Sequence, residues 1–123
     1  MKEKTFADIK ASAAQFFEPG EELRAAARGV EGPAWALFLG AIGMALLTKQ
    51  RLVLVTDRNV YLMRADRWIG KTSKGIVAKH PRGSVAVKHE SSMPFDRLLV
   101  GDQKMLVGKL FKKEAAAVAV AAS

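Results

Sequence analysis

RLVLVTDRNVYLM, residues 51 to 63, sets two short runs of aliphatic and aromatic residues on either side of Thr56-Asp57-Arg58-Asn59. Val, Leu and Tyr suit a pleated surface, whereas Asp and Asn tolerate the backbone conformations of a short connection. The pattern predicts an antiparallel hairpin over residues 51–64, turning at Asp57 to Asn59. Similar short runs follow at GIVAKH, SVAVKH, RLLVG and MLVGKLF, separated by PRG, ESSMPFD and GDQ. Short strands spaced by turn residues predict an antiparallel meander.

Upstream, ELRAAARGV alternates weakly and is read as a first strand, with a helical turn as the alternative. TFADIKASAAQFF places Phe6, Ile9, Ala13, Phe16 and Phe17 at three- and four-residue spacings. It predicts an amphipathic helix with Thr5 as a cap, stopped by Glu18-Pro19-Gly20. The ending KKEAAAVAVAAS is rich in alanine, the best helix former, and predicts a terminal helix docked on the sheet through Val118 and Val120. The expected class is therefore α+β, mainly β, with about seven strands. Residues 1–20 form the amino-terminal helix and residues 21–123 a single compact unit.

Composition narrows the chemistry. With no cysteine among 123 residues, disulfides, thiolate nucleophiles and cysteine-bound zinc are excluded. His80 and His89 lack the carboxylate clustering of metal ligands and read as solvated. The acids Asp57, Asp66, Asp96 and Asp102 fall singly in turns, and no catalytic motif is present, so no catalytic, cofactor or metal residues are assigned. GKT at residues 70–72 lacks the earlier glycine of a phosphate loop, that position being Ala65.

The net charge of +8 is uneven. Residues 1–50 balance six bases against six acids, whereas Arg64, Arg67, Lys71, Lys74, Lys79, Arg82 and Lys88 face only Asp66. This basic stretch, with Trp68 inside it, is the candidate surface for an anionic partner. A second candidate is the uncharged block from Pro33 to Leu47. Its fifteen residues would span roughly 22 Å as a helix, short of a hydrocarbon layer of about 30 Å. Three readings stand: a segment filling the core, an exposed apolar docking surface, or, least favoured by length, a membrane span. Leu37, Phe38, Ile42, Leu46 and Leu47 are the residues expected to seek burial, with Phe38, Ile42 and Leu46 on one helical face.

The pattern PGE at residues 19–21, the GP-W-apolar block at 32–47, TKQR followed by VTDRNVYLM, W-x-GK-x-x-KG at 68–75 and LLVGDQKMLVGKLFKKEAA resemble small actinobacterial proteins with pleckstrin-homology-like domains. The resemblance runs from residue 18 onward and implies a bent antiparallel barrel closed by a carboxy-terminal helix, serving as a non-catalytic binding module. The inositol-phosphate motif of eukaryotic relatives would fall at ELRAAARGVEGPAWALF, where only Arg24 and Arg28 are basic, and is not carried over. The expected partner is an anionic lipid surface or an acidic protein. Self-association as a homo-oligomer through residues 33–47 is the alternative, and non-specific nucleic-acid binding ranks third. MKEKTFADIK has no apolar signal segment, which points to the cytoplasm, at the inner face of the membrane where lipid is bound.

Overall fold

A computed structural model of the chain describes residues 3–33, 35, 39–40, 42, 47–65, 73–93, 95–108 and 111–122. Helix α1 (Glu3–Ala13) and a short 3-10 turn (Ala14–Phe16) precede seven strands. These are β1 (Leu23–Glu31), β2 (Lys49–Thr56), β3 (Asn59–Ala65), β4 (Ser73–Pro81), β5 (Val87–Glu90), β6 (Asp96–Val100) and β7 (Gln103–Val107). Helix α2 (Lys112–Ala122) follows them. The strands form one antiparallel sheet in the order β4-β3-β2-β1-β7-β6-β5.

The runs in β2 and β3 are continuously apolar because both faces of this half of the sheet are covered. Ala25, Ala27, Val53, Val55, Val60 and Leu62 lie in one cluster with Ala115, Val118 and Ala122 of α2. Ala26, Leu52, Leu54, Tyr61 and Met63 lie in the other, with Ile9 and Ala13 of α1. Phe6, Phe16 and Phe17 pack against that second cluster. The amino-terminal helix is thus a layer of the fold.

Several expectations are corrected. The sheet is open rather than closed into a barrel: β4 and β5 are its two edges, and α2 packs on β1, β2 and β5, linking the two halves through side chains. Helix α1 starts before Thr5, which is buried inside it and cannot be the cap. Val118 is buried but Val120 is 73% exposed, since two positions along a helix reach different faces. Asp96 starts β6, is 1% exposed, and its Oδ2 lies 2.8 Å from His89 Nε2, so neither residue is simply solvated.

The hairpin forms where expected, with Val55 opposite Val60 and Leu52 opposite Met63. Its turn does not use the left-handed tolerance of Asp or Asn, because no described residue other than glycine has positive φ. Instead the Thr56 Oγ accepts the N–H groups of Arg58 at 3.2 Å and Asn59 at 2.9 Å, which closes the connection from the side chain. Gly32, just beyond β1, has φ +150° and a Cβ there would lie 2.8 Å from the Leu47 carbonyl oxygen. The chain leaving β1 therefore passes directly against the chain entering β2.

Candidate functional site

Strand direction decides which loops are neighbours. Because β1 to β4 alternate, the connection from Glu31 to Lys49 and the connection from Ala65 to Ser73 leave the same end of the sheet. The apolar block belongs to the first connection and the heart of the basic stretch to the second. The fold thus brings to one end two segments that the sequence separates.

Among the described residues of the block, Trp35, Leu39, Ile42 and Leu47 are exposed, Ile42 at 74%. The core-filling alternative fails at Ile42 and Leu47, because β1 and β2 pair from their first residues and the sheet faces are already filled by α1 and α2. Leu37, Phe38 and Leu46 lie outside the described residues. Among those described, no helix is long and apolar enough to cross a membrane.

The polar framing of this end comes from the strands. Glu31 accepts a 2.8 Å hydrogen bond from Arg51 Nε, so the acid that closes β1 is neutralised by β2. Arg64 stands opposite Arg51 in the ladder. Lys49 and Arg64 are exposed, and neither forms an ion pair among the described residues. Two exposed cations therefore lie on the strand ends from which these two connections leave.

The remaining basic candidates do not form one face with Arg64. Arg67, Trp68 and Lys71 lie outside the described residues, within the connection between β3 and β4. Lys74 is placed in β4, and its side chain is also outside the description. Lys79 lies farther along β4, with its Nζ 5.6 Å from the Tyr61 ring centroid. Arg82 follows β4 at the opposite end, where its N–H donates to the Arg58 carbonyl at 2.8 Å. Lys88 is on β5, the other edge. Nine residues of β4 carry the chain from one end of the sheet to the other, so proximity in sequence is lost in space.

A second constellation was not foreseen. Glu21 Oε1 accepts from Tyr61 Oη at 2.7 Å and the Glu18 N–H at 2.9 Å, and Oε2 accepts from Asn59 Nδ2 at 2.8 Å and from the Thr56 hydroxyl. Glu18 Oε2 takes the other Asn59 Nδ2 hydrogen at 3.0 Å. Burial raises the Glu21 pKa, but the bonds from Thr56, Tyr61, Asn59 and the Glu18 backbone outweigh it and hold the carboxyl below its ordinary value. The Tyr61 hydroxyl is pushed up by burial and by its bond to Glu21. The signal was present as the PGE and VTDRN motifs, but nothing in their spacing said that they meet. This network ties the hairpin tip to the segment before β1 and is structural.

A hollow of 120 Å³ opens between Arg28, Gly29, Val30, Gln50, Leu106, Gly108 and Phe111. The Arg28 guanidinium carbon lies 4.4 Å from the Phe111 ring centroid, filling one wall. The space is below the roughly 300 Å³ at which small-molecule pockets begin. Among the described residues no group of three or more His, Asp or Glu is placed to hold a metal ion.

Comparison with known proteins gave no match to a family model, a curated protein or a solved structure.

Proposed function

We propose that this chain is a pleckstrin-homology-like, non-catalytic module that docks on an anionic lipid surface through the end of the sheet carrying the β1–β2 and β3–β4 connections. The strand order and the carboxy-terminal helix packed across β1, β2 and β5 support the fold reading. One observation carries the functional reading: Trp35, Leu39, Ile42 and Leu47 are exposed at the end where Lys49 and Arg64 are also exposed. An apolar surface framed by cations matches a bilayer interface, where apolar side chains enter the acyl boundary and bases meet lipid phosphates. Arg67, Trp68 and Lys71, carried by the adjoining connection, add the same chemistry.

The test is co-sedimentation with vesicles of phosphatidylcholine alone or mixed with phosphatidylserine, using the native chain and Ile42→Asp. Native protein is expected to pellet with the anionic vesicles only and to be released by salt. Ile42→Asp should keep its circular dichroism spectrum and lose binding, because Ile42 is exposed. Binding by the folded variant equal to native would contradict the proposal. A native mass by light scattering that exceeds the monomer and falls to it in the variant would favour self-association instead.

A further inference from the structure

The edge strand β4 is nine residues long, equal to β1 and more than twice the length of β5 at the other edge. Strand β3 pairs with one side of it, and no described strand pairs with the other. An edge of this length presents backbone donors and acceptors to any extended chain that meets it. Ile76 and Val77 are each 40% exposed along it.

The charges on this edge select among partners. Across β4 and the turn after it, SKGIVAKHPR contains Lys74, Lys79, His80 and Arg82 and no acid. A second copy pairing antiparallel along the same edge would set bases opposite bases, which is unfavourable in a ladder. The irregularity between Leu62 and Met63, where Val77 is the extra residue of β4, further interrupts a long self-paired ribbon. An acidic strand does not meet that charge obstacle. Its carboxylates would stand across from the bases while its amides complete the unpaired side, with Ala78 to His80 offering the stretch between the bulge and Pro81, which has no N–H and whose carbonyl already accepts from Ser84.

We propose that the outer edge of β4 receives an extended acidic segment of another polypeptide as an added strand. This site is separate from the lipid-facing end, and loss of one leaves the other in place.

Synthetic peptides test it by amide chemical shifts and hydrogen exchange on the full chain. A peptide of alternating glutamate and valine is expected to shift and protect amides within residues 74–80. A peptide of equal charge with proline at every second position, which lacks those amide donors, should not. Reversing Lys79 to glutamate should weaken binding of the first peptide roughly fivefold, the scale of one cross-strand charge pair turned repulsive. Equal binding of both peptides, or protection confined to residues outside β4, would overturn the proposal, and neither result depends on a variant folding.

Discussion

Glu21 collects donors from Glu18, Thr56, Asn59 and Tyr61, so one carboxylate fastens the start of β1 to both sides of the hairpin turn. Asp57 reinforces this: its Oδ1 accepts the Glu22 N–H at 3.0 Å and its own N–H donates to the Glu22 carbonyl at 3.0 Å. Arg58 adds a bond from Nη1 to the Pro19 carbonyl at 3.0 Å. Replacing Glu21 with Gln turns an acceptor-only group into one that must present an amide nitrogen to two of its four donors, and is expected to cost about 1–2 kcal/mol, discounted for partial exposure. The sign with pH follows from the lowered pKa. A carboxyl depressed in the folded state stabilises above the unfolded value of 4.5, and that contribution is lost as pH falls through the folded value. Urea midpoints measured from neutral pH down past 4.5 should therefore decline in the native chain and decline less in Glu21→Gln. Parallel curves for the two would remove Glu21 from the account.

At the scale of elements, α1 is the layer that the apolar runs of β2 and β3 require. Ile9 is fully buried against the face formed by Leu52, Leu54, Tyr61 and Met63, and Phe17 stacks at 5.3 Å on Tyr61. Ile9→Ala should destabilise the whole domain by about 2–4 kcal/mol in denaturant unfolding, as for other buried Ile truncations. A change below about 0.5 kcal/mol, the range of ordinary surface substitutions, would mean that α1 does not cover that face. The strands and both helices were legible because propensity, turn residues and periodicity agreed locally. RLVLV and NVYLM show no alternation, and that continuity, a sign of burial on both faces, was the available clue that α1 belongs to the sheet. The open sheet was not legible, since strand pairing at the edges is a non-local property. Likewise Asp96 sits beside turn residues in sequence, and only the register of β5 with β6, which places His89 opposite Leu98, brings His89 within reach of it.

For the whole molecule, the organising fact is polarity from end to end. The hairpin tip and the Glu18–Glu22 segment close one end with internal hydrogen bonds, while the other end offers Trp35, Leu39, Ile42 and Leu47 beside Lys49 and Arg64. Sequence composition exposed both ingredients, an uncharged block and a basic stretch. It could not show that Arg64 lies at the end of the sheet that carries the block whereas Lys79 and Arg82 lie farther along and beyond β4 and Lys88 on the other edge, because that sorting is set by strand reversal. Both tryptophans of the chain belong to the connections at this end, Trp35 in the first and Trp68 in the second. Intrinsic fluorescence therefore reports on the proposed contact without any substitution. The most direct measurement is tryptophan emission during titration with phosphatidylserine-containing vesicles. The account predicts a blue shift that is absent with pure phosphatidylcholine and reversed by salt. Unchanged emission with anionic vesicles at low salt would contradict it.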